Sequence, residues 1–277
     1  MSAKDSRLKA PHDVVEIIDL TRKFGELIAV DRISLSVNTG EIFGLIGPNG
    51  AGKSTLIRML TTLLPPTSGT ARIAGYDIAS QPSEVRRKIG YVPQLLSADS
   101  SLTGYENMLL SARLYGVARG ERNERIARAL TRMGLSEAAS DLVGHYSGGM
   151  IRRLEIAQSL LHRPMVLFLD EPTVGLDPGA RDTVWQHIVE LRDRFQRTMI
   201  VTSHHMDEIE EFCDRIALIA RGRIVAVGTA GELKARVGPG ASLDDVFIKL
   251  VAPTSKTESG GSYGEIRRAR RAERDHG

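Results

Sequence analysis

Ile33, Leu35 and Val37 alternate with Ser34 and Ser36, the two-residue period of a strand with one buried face. Asn38-Thr39-Gly40 supplies turn residues before a second run, Glu41-Ile42-Phe43-Gly44-Leu45-Ile46, so the start of the chain reads as β-rich. After Gly47 a glycine loop leads into Ser54-Thr55-Leu56-Ile57-Arg58-Met59-Leu60, which reads as helix until Pro65-Pro66 and Ser68-Gly69 stop it. From about residue 97 to 161 the pattern changes to apolar positions three to four apart, predicting helices over residues 106–115, 121–133 and 150–161. Short apolar strands return at 166–169 and 199–202, separated by a helix near 180–195. That alternation belongs to a parallel sheet with crossover helices. A hairpin around Arg221-Gly222 follows, then helices capped by Thr229 with Glu232 and by Ser242 with Asp245.

The chain has 277 residues, 42% of them apolar, and one cysteine. This suits one or two globular domains with a sizeable core, and excludes a disordered chain, a collagen or a disulfide scaffold. No stretch approaches about 18 uninterrupted apolar residues, and residues 1–12 lack an apolar signal core. A soluble intracellular chain is expected. Net charge is +3, but residues 1–12 and 252–277 each carry +2, which leaves −1 on the body between them. With 5% aromatic residues and no basic stripe on the body, composition gives no support for a nucleic-acid partner. Residues 1–12 read as a flexible segment, and 252–277 as a basic, disordered tail that is either simply solvated or weakly drawn to anionic lipid. Cys213, in an apolar context, reads as a small core residue.

Gly47-Pro48-Asn49-Gly50-Ala51-Gly52-Lys53-Ser54 fits G-x-x-x-x-G-K-[ST] between a predicted strand and a predicted helix, the setting its chemistry requires. Glycines let backbone N–H groups curl around phosphate oxygens, the following helix directs its positive end at them, Lys53 neutralises the β/γ oxygens and Ser54 can ligate Mg²⁺. The apolar run 165–169 ends in Asp170-Glu171, and a carboxylate at the tip of a buried strand must be paired or bind a cation. Mg²⁺ is the natural partner of Asp170, while Glu171 would stand beside the terminal phosphate and polarise an attacking water. Tyr146-Ser147-Gly148-Gly149-Met150 opens a further helix, and is either a plain capped helix start or a second anion site. Two such sites in one chain suggest that each completes the pocket of a second copy.

In this order the motifs resemble an ATP-binding cassette (ABC) ATPase, over residues 14–250. The resemblance implies an α/β P-loop fold with a RecA-like parallel-sheet core, an N-terminal antiparallel β subdomain and an inserted helical subdomain at about 97–161, the ATPase domain occupying 13–251. It makes residues 47–54, continuing into Thr55, the Walker A loop, Gln94 after Tyr91-Val92-Pro93 the Q-loop, and Ser147, Gly148 and Gly149 the signature. Asp170 and Glu171 become the Walker B pair, Gly175-Leu176-Asp177 the D-loop, and His204 the switch histidine. Phe24, by itself more readily a core residue, falls where the family puts an aromatic against adenine. Gln94 is expected to end a strand, and with both an amide donor and an acceptor it can touch metal-bound water. His204 follows an apolar strand, which places an imidazole at the carboxyl edge of the sheet where ligands of such folds bind.

The signature departs from the family's commonest form at Tyr146 and Met150, and Met150 cannot make the hydrogen bonds of the usual glutamine. Residues 146–157, together with Leu243-Asp244-Asp245-Val246-Phe247, resemble ATPases of ABC-2-type exporters of the daunorubicin-resistance type. The resemblance thus implies a subunit that dimerises head to tail around two Mg·ATP and powers export of a drug-like or hydrophobic substrate through a separate ABC-2-type permease. It would sit on the cytoplasmic face of the membrane through that partner. A soluble or regulatory ABC ATPase, acting on DNA, ribosomes or a membrane protein without solute transport, is the alternative. A small-molecule kinase sharing the phosphate loop would leave Ser147 and His204 without a role.

Overall fold

A computed structural model describes residues 13–251; the expectations for residues 1–12 and 252–277 lie outside that range. β1 (Asp13–Phe24) and β2 (Leu27–Asn38) form a long antiparallel hairpin. Its inward positions, among them Val15, Ile17, Leu20, Val30, Ile33 and Val37, are buried. The Asn38–Gly40 turn does not return the chain alongside β2. It carries the chain into a different sheet, whose first strand is β3 (Ile42–Ile46). α1 (Lys53–Leu60) follows, then β4 (Ser68–Ile73) and β5 (Tyr76–Asp77), which complete an antiparallel sheet of order β2-β1-β4-β5.

α2 (Pro82–Lys88) leads into β6 (Ile89–Val92), and three helices come next: α3 (Gly104–Leu114), α4 (Arg122–Arg132) and α5 (Gly148–Leu160). α3 starts at Gly104, ahead of the predicted residue 106, because Thr103 and Glu106 form a reciprocal capping box. α5 likewise starts at Gly148 because the Ser147 side chain caps it. The chain then returns through β7 (Val166–Asp170), α6 (Pro178–Phe195), β8 (Thr198–Ser203), α7 (Met206–Phe212), β9 (Arg215–Ala220) and β10 (Arg223–Gly228). α8 (Ala230–Ala235) and α9 (Leu243–Val251) end the described chain. Thr229 with Glu232, and Ser242 with Asp245, make the reciprocal hydrogen bonds expected of helix starts.

The second sheet has the order β10-β9-β3-β8-β7-β6, parallel throughout except for β10. Every residue of β3, β7 and β8 is buried, as parallel strands covered on both faces must be. Alternate residues serve two cores. Phe43, Leu45 and Phe168 face α1 and the first sheet, whereas Ile42, Leu167 and Leu169 face α5 and α6. Trp185, 1% exposed, anchors the second core by stacking on Phe212 at 4.7 Å. Each such large apolar side chain contributes about 1.5–3 kcal/mol on burial. Cys213 is buried there too, and burial pushes its thiol pKa up. The result is an α/β architecture whose parallel strands all point their carboxyl ends to one edge, where ligands of open α/β sheets bind.

Candidate functional site

The loop between β3 and α1 fits only glycine at its tight points. A Cβ on Gly47 would lie 2.2 Å from the carbonyl oxygen of Ile219, and one on Gly52 2.4 Å from that of Ala29. Gly50 (φ 77°) and Gly52 (φ 106°) also adopt left-handed backbone. Lys53 is buried beneath the loop, its Nζ donating to the carbonyls of Gly47 (2.7 Å) and Pro48 (3.3 Å). Nζ also lies 3.9 Å from Glu171 Oε1. Burial lowers the Lys53 pKa, opposed by the charges of Glu171 and Asp170. Ser54 and Thr55 follow in the first turn of α1.

Asp170 ends β7 and Glu171 follows it, both buried. Asp170 Oδ1 accepts from the Thr202 hydroxyl at 2.6 Å and from the Ser54 hydroxyl at 3.4 Å. Glu171 adopts φ 52°, a left-handed conformation that costs a non-glycine residue about 1–3 kcal/mol. Its amide is held by Thr202, donating to Oγ1 at 2.9 Å and to the carbonyl at 3.2 Å. Its carboxylate is divided between Lys53 on one oxygen and His204 Nδ1, at 2.7 Å, on the other. Thr202 therefore holds the carboxylate of Asp170 and the backbone of Glu171. The sequence reading placed Thr202 only at a strand end, although a hydroxyl closing the run Met199-Ile200-Val201 was the available signal.

His204 is half exposed, with its ring 4.2 Å from that of His205. Burial, then His204, lowers the His205 pKa. Gln94 is exposed and stands two residues beyond the end of β6, not at the strand end itself. Because Val92 pairs with Leu169, Gln94 emerges at the same sheet edge as Asp170. Phe24, 45% exposed, ends β1 with the Arg22 guanidinium 4.6 Å over its ring. Its hairpin abuts the phosphate loop through the Ala29–Gly52 approach.

Ser147, Gly148 and Gly149 form a separate cluster. The Ser147 hydroxyl accepts from the Met150 amide at 3.2 Å, leaving its own proton to donate. A Cβ on Gly148 would lie 3.2 Å from Leu176, and one on Gly149 2.9 Å from Ala180. Gly148 thus lets the tip press against the 175–177 turn and Gly149 lets it press against the start of α6, which Asp177 caps through the Ala180 amide at 3.0 Å. Tyr146 is buried beside it, its hydroxyl donating to the Ala138 carbonyl at 2.6 Å. Among the described residues no side-chain hydrogen bond or ion pair joins this tip to the 47–54 loop.

One carboxylate and one hydroxyl, Asp170 and Ser54, form a hard-oxygen donor set too sparse to hold a cation alone. Among the described residues no group of three His, Cys, Asp or Glu side chains is placed for a metal. The chemistry of the Asp170–Ser54 donor set suits Mg²⁺, which keeps waters and takes phosphate oxygens alongside one or two carboxylates. The arrangement can neutralise a polyphosphate through Lys53 and the loop amides, and can offer the oriented base Glu171 to a water.

The profile described as ABC transporter matches residues 30–174. The chain is 46% identical over 228 residues to the daunorubicin/doxorubicin resistance ATP-binding protein DrrA of Streptomyces peucetius, covering 82% of this chain and 69% of that one. It is 41% identical over 232 residues to the linearmycin resistance ATP-binding protein LnrL of Bacillus subtilis, covering 84% and 73%. A solved ATP-binding subunit of an ABC transporter superposes with a TM-score of 0.76 at 31% identity, over 86% of this chain and 99% of its own. A dimeric ATP-binding cassette in a post-hydrolysis state, bound to ADP and Pi, gives 0.69 at 27% identity, over 78% and 98%.

Proposed function

The chain belongs to the ABC transporter family and is an ATPase of it, and from that premise we propose that it dimerises head to tail around two Mg·ATP to drive an exporter. The observation that carries this reading is the separation of two half-sites. The loop, Lys53, Asp170, Glu171 and His204 converge at one sheet edge, while the Ser147 tip is built against Leu176 and Ala180 and, among the described residues, has no side-chain bond to them. A second copy would bring its tip, with Asp177, to the triphosphate held by the first.

Within each site Glu171 takes the proton of the attacking water, and His204 fixes the rotamer of that carboxylate from its far oxygen. Lys53 and the backbone N–H groups of the loop, Pro48 excepted, neutralise charge on the phosphates, and Phe24 stacks on the adenine. Ser54 and Asp170, with Gln94 acting through a water, would hold Mg²⁺, which would supply charge neutralisation at the phosphates. Binding to the closed pair in preference to the open one makes nucleotide the driver of closure, and hydrolysis releases it.

Residues 13–251 then form the cassette and 97–161 its helical arm. Among the described residues no helix is long and apolar enough to cross a membrane, so on this reading the pathway belongs to a separate ABC-2-type permease. A docking place is at hand. A cavity of about 230 Å³ lies between β6 and the arm, lined by Tyr91, Asn107, Leu110 and Glu155. Leu114 (78% exposed) and Tyr115 line it too, and the exposed Leu95 and Leu96 lie in the chain between two of its lining residues, Pro93 and Ser97, so apolar side chains are on offer to an apolar partner segment. The relatives named for daunorubicin, doxorubicin and linearmycin resistance support a drug-like, hydrophobic cargo, and with a permease as partner the chain would sit at the cytoplasmic membrane face.

Gentle extraction of native membranes with this chain tagged tests the reading. A multi-span membrane protein should co-purify; ribosomes or DNA-repair proteins in its place would contradict it.

A further inference from the structure

The buried pair Arg152–Glu155 has no part in the chemistry above. Both side chains are 2% exposed and lie one turn apart on α5, the helix that Ser147 caps, with Arg152 Nη1 2.9 Å from Glu155 Oε2. Both reach out of their helix to the same stretch of chain. Arg152 Nη1 donates to the Pro93 carbonyl at 2.7 Å and Nη2 to the Gln94 carbonyl at 2.9 Å. Glu155 Oε1 accepts from the Ser97 hydroxyl at 3.0 Å and from the Ser97 amide. Residues 93–97 leave the edge strand β6, so no neighbouring strand can satisfy their backbone. The ion pair does so instead, at both ends of the stretch, while Leu95 and Leu96 between them remain exposed.

Stability gives little reason for such a pair, since well-packed apolar residues of similar volume commonly serve a core equally well or better. A guanidinium fork in turn fixes direction as well as distance. We propose that Arg152 and Glu155 are positioning residues that bolt residues 93–97 to α5, so that Gln94, the exposed leucines and the Ser147 tip move as one body. A push on Leu95 or Leu96 would then reach the tip without loss in a flexible loop, and closure of the tip on nucleotide would shift Gln94. The consequence for turnover rests on the two-copy reading above; the rigid linkage itself does not.

The test uses the full chain carrying Cys213→Ser, with spin labels at Leu95→Cys on the loop and Leu114→Cys at the end of α3. α3 is itself tied to α5 through Gln158 and the Ser111 hydroxyl at 3.0 Å. In the parent the 95–114 distance distribution should be narrow with and without ATP. In the apolar pair Arg152→Met with Glu155→Leu it should broaden, while thermal unfolding stays cooperative. In the unlabelled double variant kcat should fall about tenfold or more with KM for ATP little changed, the signature of lost orientation. A purely structural role would lower the melting point without that split. If the double variant fails to fold, Glu155→Gln, which keeps shape and an acceptor for Ser97, takes its place with the same readouts. A distribution that stays narrow overturns the proposal, as does a wild-type kcat or a loss carried by KM instead. The distances are measured without permease or second copy, so failure of the linkage and failure of the two-copy reading are separately visible.

Discussion

Nδ1 of His204 lies 2.7 Å from Oε2 of Glu171, and the other oxygen of that carboxylate faces Lys53 Nζ at 3.9 Å. Glu171 is therefore held from both sides, buried, on a left-handed backbone that its bond to Thr202 maintains. A group fixed this completely is suited to taking one proton along one direction.

Replacing Glu171 by Gln keeps the size of the side chain and removes its basicity. Hydrolysis should slow by about 10² or more, the usual loss for a general base. Nucleotide binding should persist, with a longer-lived dimer in ATP. Phosphate release and equilibrium ATP titration measure the two effects; wild-type turnover would remove Glu171 from the role of base.

Thr202→Val is nearly isosteric and deletes one hydroxyl that donates to Asp170 and accepts from the Glu171 amide. A buried carboxylate that loses its donor costs about 1–3 kcal/mol, or roughly 2–10 °C in melting temperature for a domain of this size. Turnover should fall in the same variant, because the Asp170 carboxylate and the Glu171 backbone both lose a partner. Calorimetry together with steady-state kinetics checks this, and an unchanged melting point with full activity would mean that Thr202 orients nothing.

Much of this site is legible in the chain because its parts are local. The 47–54 loop, the strand ending in Asp170-Glu171 and the caps at Ser147 and Thr229 are each set by a few adjacent residues whose chemistry has few other uses. Long-range relations were not legible. Nothing near Asn38–Gly40 tells whether the chain turns back beside β2 or crosses into the second sheet, since the turn chemistry is the same. β6, expected to run to Gln94, stops at Val92, and α7 has only seven residues to mark it. The left-handed Glu171 depends on Thr202, 31 positions away, and the Arg152–Glu155 bolt depends on a loop 58 positions upstream. On α5 that pair looks like an ordinary surface i, i+3 ion pair.

Asp77 offers a pH measurement outside the site. The hydroxyl of Thr70, then the Ser80 amide, hold its carboxylate down to about 2 from an ordinary 3.8. A depressed folded-state pKa means stability that is fully present above about pH 4 and is lost as pH falls towards 2. Because Asp77 is partly solvated, its contribution is on the order of 1 kcal/mol. Asp77→Asn should lower the melting point at pH 6 and bring the two proteins together near pH 2. A constant difference across that range would assign the effect to packing instead of charge.

The division of each catalytic centre between two copies is tested most directly by mixing two disabled chains. Lys53→Ala removes the charge beneath the phosphate loop, and Ser147→Arg blocks the tip. Each alone should be nearly inactive, and mixing should restore turnover, because a mixed pair contains one site with an intact loop and an intact tip. With random pairing and independent sites, recovery approaches about a quarter of wild type. No recovery in a mixture that forms mixed dimers, or full turnover by Ser147→Arg as a monomer, would contradict it.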